Sequence, residues 1–390
     1  MRNLLWSLIL IAAGGANKPE PVPFTQVEIK TVFSDSTSIR AIEFLDGRTL
    51  AFAGSEGIYG TVDIATGTIR TATMGFLGEK PEFRAVAHTK TDFFMLSAGN
   101  PALLYKTSDN GSMDLVYLEE GDTVFYDALK FWNDKEGIAM GDGENGCPAI
   151  LITRDGGHTW SKLSCGLLPK LEGAVGAYAA SNTNIEIKGD KTWIMTSKEQ
   201  MLYSPDRGRT WNIVETPIEI NETYHGIYSI DFYDETLGFG IGGDFSQIER
   251  NTSNKIRTED GGQTWSLVAE GMDPGYKSCV QFVPGSAGKG MVAIGLTGID
   301  HSSDGGESPL HYAIMRNYPR ITQALLEAGA DPNARESERG YAPAHYAAGL
   351  GRLETLRLLL SYQMEQDQPD ADGVTPLMHA ILGGHLSTVA

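Results

Sequence analysis

Positive charge is in short supply: 31 Lys and Arg stand against 50 Asp and Glu, a net charge of −19. With little to offset phosphate repulsion, the chain is not expected to bind nucleic acid. Histidine is equally sparse, and those at 88, 158, 225 and 301 show no H-x-x-x-H spacing, so no metal site is expected. No apolar run is long enough to span a bilayer as a helix. Cofactor motifs are missing too. Gly238–Gly243 matches G-x-G-x-x-G, but it leads into another strand rather than the helix a pyrophosphate needs. Gly285–Gly290 resembles a P-loop only in part, since its spacing is wrong and no Ser or Thr follows Lys289. Asp142 and Glu144, in Gly141–Gly146, lack the distant bidentate carboxylate of a calcium loop and read as a solvated turn.

What is abundant is glycine, 46 residues, together with a recurring octapeptide. Thr153–Trp160 (TRDGGHTW), Ser204–Trp211 (SPDRGRTW) and Thr258–Trp265 (TEDGGQTW) are full copies. A degenerate copy starts at Thr107, and a fifth starts at Ser302 and meets Pro309 where the Trp should be. The aspartates Asp109, Asp155, Asp206, Asp260 and Asp304 are 46, 51, 54 and 44 residues apart. That period suits a four-stranded unit repeated around a ring.

The pattern S/T-x-D-x-G-x-T-W resembles the Asp-box of bacterial-neuraminidase-type propellers. In each box the carboxylate can accept hydrogen bonds from its own turn. Gly157, Gly208 and Gly262 take the positive φ a tight turn demands. Trp160, Trp211 and Trp265 pack the hairpin onto its blade. These residues are read as structural staples, not catalysts, because they recur in every repeat while an active site in a ring occurs once. Between boxes, an apolar strand such as Arg40–Phe44 precedes a glycine-rich one such as Phe239–Gly242. Blades are expected near 36–75, 82–120, 124–168, 174–217 and 226–270, with a sixth starting near Lys277 and interrupted. The first lacks a box and turns at Ala65–Gly67. Gln26–Val32 could close the ring as an outer strand.

After Ser303 the grammar changes. Pro309-Leu310-His311-Tyr312-Ala313, Pro343-Ala344-His345-Tyr346-Ala347 and Thr375-Pro376-Leu377-Met378-His379-Ala380 resemble the ankyrin signature T-P-L-H-x-A. The prolines lie 34 and 33 residues apart, against an ankyrin period of 33. They suit a first helical turn, which has no use for their missing N–H. Ile321–Asp331 reads as a second helix capped by Gly329. Gln363-Met364 replaces the expected Gly-Ala, so that helix end lacks its left-handed glycine, and Met378 replaces the signature His. No C-terminal cap is evident, and fraying is expected from Gly383.

The fold expected is therefore multidomain, β plus α: leader 1–16, Asp-box β-propeller 17–303, and a short ankyrin helical stack 304–390, two repeats and a partial third. The leader reads from Arg2, the apolar Leu4–Ala13 and the small Gly14-Gly15-Ala16. Gly15 stands where a lipobox would place cysteine, so the chain is expected to be exported, periplasmic or extracellular, without lipidation. Cys147 and Cys165 flank the first full box, and either a cross-strand disulfide or two packed thiols fits. The box at Ser302–Ser308 overlaps the first ankyrin motif, and no lysine follows Ser303. A natural two-domain protein and a fusion of two truncated genes both account for that junction.

The propeller resembles exported photosystem II assembly-factor-like and sortilin-like propellers, which implies a binding or assembly scaffold. The ankyrin segment implies contact with protein partners. The competing reading places a carbohydrate-active, sialidase-like site at the propeller's central mouth. That chemistry needs an arginine trio, a Tyr–Glu pair and a separate acid; arginine is sparse in the propeller, and the recurrence of Arg40 and Arg84 at similar blade positions suggests scaffold use. Bacterial relatives are sometimes called oxidoreductases, but no redox motif is present.

Overall fold

The computed structural model describes residues 36–302 and 309–385, except 172–175, 179, 199, 220–223, 272–273, 287, 316, 328–329 and 337–338. The leader, the closing strand Gln26–Val32, Asp304 with the motif overlap, and Gly329 all lie outside the described residues.

Six antiparallel meanders follow one another, each running from an inner to an outer strand. Blade 1 holds β1 (Ile39–Phe44), β2 (Thr49–Gly54), β3 (Ile58–Asp63) and β4 (Thr68–Thr73). Blade 2 holds β5 (Phe83–His88), β6 (Phe93–Ser97), β7 (Ala102–Thr107) and β8 (Met113–Glu119). Blade 3 holds β9 (Tyr126–Phe131), β10 (Gly137–Glu144), β11 (Cys147–Thr153) and β12 (Ser161–Lys162). Blade 4 holds β13 (Ile185–Lys188), β14 (Lys191–Met195), β15 (Gln200–Ser204) and β16 (Asn212–Glu215). Blade 5 holds β17 (His225–Phe232), β18 (Gly238–Asp244), β19 (Lys255–Thr258) and β20 (Ser266–Leu267). Blade 6 has three strands, β21 (Cys279–Phe282), β22 (Met291–Gly295) and β23 (Gly298–Ser302).

The core lies between blades. Side chains alternate across each sheet, so every blade offers one face to each neighbour. Phe94 and Leu96 of blade 2 meet Leu129, Leu151 and Trp160 of blade 3. Met140 and Ile150 then meet Ile194 and Leu202 of blade 4. Trp193 stacks on Phe232 of blade 5 at 3.8 Å, and Ile241 meets Val280 of blade 6. Full burial of one such side chain contributes about 1.5–3 kcal/mol. By the same alternation, Ile42 and Phe44 of β1 face away from blade 2, and Ile294 and Ile299 face away from blade 5; all four are exposed.

The boxes form the turns between the third and fourth strands. Asp155 accepts from Thr159 N–H (3.0 Å) and from the hydroxyls of Thr159 (2.7 Å) and Thr153 (2.9 Å). Asp206 and Asp260 repeat this set with Thr210 and Ser204, and with Thr264 and Thr258. Burial works against the Asp260 charge, yet the Thr264 and Thr258 donors outweigh it and lower its pKa to about 2. Gly157, Gly208 and Gly262 have φ of 79°, 73° and 79°. They also let the turn touch the preceding blade: a Cβ on Gly157 would fall 2.3 Å from the Phe94 ring. In the degenerate copy Asn110, not Asp109, accepts from Ser112 N–H (2.9 Å). Blade 1 uses Asp63, which accepts from Ala65 and Thr66 N–H.

In the middle box Arg207 takes the left-handed position, φ 57°, that glycine fills in the other two. Its guanidinium joins those of Arg154 and Arg209 on Glu136, at the β9–β10 turn. Burial would raise the Glu136 pKa, but the arginines and Asn133 pull it down to about 2. Glu136→Gln should unfasten blade 3 from blade 4 at this edge. Because the arginines are partly exposed, we expect a loss of about 2 kcal/mol, a fall of roughly 5 °C in the thermal midpoint. A midpoint unmoved in calorimetry would mean that the arginines are held by other contacts.

The helices are α1 (Pro309–Met315), α2 (Pro319–Glu327), α3 (Pro343–Gly349), α4 (Leu353–Ser361) and α5 (Pro376–Leu382). Pro309, Pro343 and Pro376 each open a helix. Leu310, Ile314, Leu326, Ala347 and Leu359 form their shared core. The missing glycine after α4 does not remove the left-handed turn. Gln363 adopts it at φ 64°, and its carbonyl accepts from Asn333 Nδ2 at 3.3 Å.

Candidate functional site

Two surfaces are candidate sites: the ankyrin hairpins, and the propeller face opposite the octapeptide turns. In the ankyrin segment the histidines tie repeats together. His311 Nε2 donates to Tyr341 O at 3.0 Å, and His345 Nε2 donates to Val374 O at 3.1 Å. His345 Nδ1 accepts from Ala342 N–H at 2.9 Å, supplying the cap that Ala342 cannot. Thr375 caps α5 by accepting from Met378 N–H. With Met378 in the signature position, His379 pairs instead with Asp370 at 2.8 Å. These bonds align the hairpins at 330–342 and 364–374, whose tips at Arg339 and Asp372 are exposed.

At the propeller mouth the inner strands share one irregularity. Register shifts at the start of β1, β5, β9 and β17 leave Arg40, Arg84, Asp127 and Tyr228 in equivalent bulges. A bulge re-aims a side chain without ending the ladder. Arg84 sits over the Phe125 ring, and its pKa is lowered by burial and by the charge of Arg40.

The axis is filled. Asn182 Oδ1 accepts from Leu129 N–H (2.8 Å), while Nδ2 donates to Leu129 O (3.1 Å) and Val86 O (2.8 Å). Ser181 donates to Ser278 O (2.8 Å), and Thr183 bonds the Ser229 hydroxyl (2.7 Å). Three consecutive residues thus reach the inner strands, or the residue flanking one, in blades 2, 3, 5 and 6. Inner strands have one unpaired edge, and this segment satisfies part of it. The sequence signal was the polar run Ser181–Asn184 just before an apolar strand; its partners could not be read.

Toward the box face, charges from the inner strands interlock. Lys130 pairs with Glu186, Lys188 with Glu186 (3.2 Å) and Asp231 (3.9 Å), and His88 with Glu43 (3.0 Å). Burial and the charge of Glu186 raise the Asp231 pKa to about 6, and burial raises that of Glu43 despite Lys130 and His88.

A Tyr–Glu pair exists, with Tyr126 and Tyr117 donating to Glu119 Oε2 at 2.7 and 2.6 Å. Burial and the Glu119 hydrogen bond raise the pKa of Tyr126, the reverse of an activated nucleophile. At the mouth Arg40 stands close enough for its charge to lower the pKa of Arg84. Gly238–Gly243 lies within β18, and Asn145-Gly146, at φ 54° and 77°, makes the two-residue β10–β11 hairpin turn. Among the described residues no three His, Cys, Asp or Glu gather to hold a metal ion. None of their helices is long and apolar enough to cross a membrane. Cys147 and Cys165 are joined, S–S 2.06 Å, just beyond the end of β12, and Cys279 is free.

Residues 310–390 match the family profile for ankyrin repeats in three copies. Over 98 residues the chain is 34% identical to a glycerophosphocholine phosphodiesterase of Candida albicans, covering 25% of this chain and 8% of that protein. It is 42% identical over 81 residues to Neurogenic locus notch homolog protein 4 of Homo sapiens, 20% of this chain and 4% of that one. With NF-kappa-B inhibitor alpha of Sus scrofa it shares 45% identity over 53 residues, 14% and 17%. The chain spans less than a fifth of each of these relatives. A six-blade β-propeller followed by ankyrin repeats at 310–390 is the architecture of this protein.

Proposed function

We propose that the chain is a non-enzymatic protein-interaction scaffold: an exported Asp-box propeller, 17–303, carrying an ankyrin binding surface, 304–390. The observation that carries this reading is the ankyrin segment, whose His311 and His345 bonds hold two hairpins in register as a recognition edge. The matching hydrogen-bond sets of Asp155, Asp206 and Asp260 support an Asp-box assignment and the scaffold role of the assembly-factor-like and sortilin-like propellers. The leader and the Cys147–Cys165 bridge support an oxidising, periplasmic or extracellular location. The overlap of motifs at 302–308 and the absence of lysine beyond it support a chimeric origin.

A photoreactive amino acid placed at Arg339 or Asp372 tests the reading. Both sites should cross-link one and the same protein, while the same residue at His158, on the box face, should not. Cross-links that do not differ among the three sites, together with turnover of a fluorogenic sialoside, would overturn the scaffold in favour of the carbohydrate-active enzyme.

A further inference from the structure

On the face opposite the boxes, the β10–β11 hairpin and the link between β8 and β9 enclose a cleft of about 730 Å³. Glu119, Glu120, Asp142 and Glu144 line it against Lys162 and Lys170. Lys162 is taken up by Glu119 at 2.7 Å, and Glu144 accepts from the Thr123 hydroxyl. Among the described residues, Glu120 and Asp142 have no ion pair.

Beside Asp142 stands Asp127, 1% exposed in its bulge on β9, and neither of its carboxylate oxygens accepts a hydrogen bond. Burial and the charge of Asp142 hold its pKa well above the usual carboxylate range, against the opposing charge of Arg84. Burial raises that of Asp142 as well, to about 6, and the Ala177 N–H, which is not in hydrogen-bonding geometry with either oxygen of Asp127, lowers both. The Ala177 segment presses on Asp142 so closely that a Cβ on Gly176 would fall 2.0 Å from Asp142 Oδ1. A buried carboxyl without a donor is costly to keep, and such groups concentrate where a ligand supplies the missing donor.

We infer that this cleft receives a lysine or arginine side chain of a partner protein, its cationic head seated against Asp142 with Asp127 behind. The inference rests on the protein-binding reading above and names the chemistry one face recognises. A basic partner suits a chain of net charge −19. Calcium is the weaker occupant, since it takes six to eight oxygens and, among the described residues, no three carboxylates gather to hold a metal ion.

Calorimetric titration of the full chain with N-acetylated tetralysine amide tests the site. We expect one-to-one binding, weakened about tenfold or more by Asp127→Asn and by Asp142→Asn. Glu235→Gln, on the box face, should leave it unchanged. Asp127→Asn should also raise the thermal midpoint, because it removes a carboxyl buried without a hydrogen-bond donor. Equal weakening by Glu235→Gln, unchanged affinity in Asp127→Asn, a lowered midpoint in that variant, or displacement of the peptide by stoichiometric calcium would each overturn the proposal. Cross-linking from the ankyrin tips would still succeed if only this cleft were misread.

Discussion

Asn182→Leu should lower the thermal midpoint of the propeller by roughly 10 °C. The leucine has similar bulk but leaves Leu129 N–H, Leu129 O and Val86 O without the partners Asn182 supplies. Stranding buried polar groups costs about 1–3 kcal/mol each, so a total of about 3–5 kcal/mol is expected. For a body this size, each kcal/mol moves the midpoint by about 2–4 °C. Asn182→Asp should do comparable harm, since a carboxylate can keep the Leu129 N–H but offers nothing to two carbonyls. Differential scanning calorimetry reads both variants. A midpoint within about 2 °C of the parent would mean that the ring's inner edge does not depend on this side chain.

Acid should move the two domains in opposite directions. In the propeller, Asp127 is raised well above its ordinary range, Asp142 and Asp231 are raised to about 6, and Glu43 is raised. Burial is the leading cause in each. The folded state then keeps protons that the unfolded chain releases, so stability is greatest below the ordinary carboxylate pKa and is lost as pH rises through about 6. In the ankyrin stack, burial lowers His311 to about 4 and lowers His345 as well. There the unfolded chain takes up protons that the folded state refuses. Stability is complete above about 6.5 and drains away as pH falls toward 4, on the order of 3 kcal/mol for His311.

The readouts separate cleanly because no tryptophan follows Trp265. Between pH 7 and pH 5 the tryptophan-fluorescence midpoint should rise by a few degrees, while the helical signal at 222 nm melts earlier. Further acidification should reverse the propeller's gain, as Glu136 and Asp260, both lowered to about 2, are protonated. His311→Gln should flatten the ankyrin response. Parallel movement of both signals across pH 7 to 5 would refute the assignment of these groups.

Blades and repeats were legible because their signals are local. A Thr or Ser, an Asp, a Gly and a Trp at fixed offsets close one turn with bonds inside eight residues, and Pro with His marks a helix start in the same way. The left-handed Gln363 shows the limit of such reading. No glycine stood there, yet the turn formed, held from 30 residues upstream by Asn333. Asp109 shows it from the other side, since its neighbour Asn110 supplies the acceptor.

Sequence alone determined the kind of unit and where each begins, since hairpin turns, strand alternation and helix starts depend on residues close in the chain. It also determined the excess of negative charge. Tertiary structure decided which distant groups share a space: Asn182 with Val86 and Leu129, Glu136 with three arginines, Asp127 beside Asp142. Strand pairing within a blade and ring geometry between blades bring these together across gaps of 15 to 96 residues. Their consequences come from burial and field strength, which belong to the assembled ring and to no single stretch of chain.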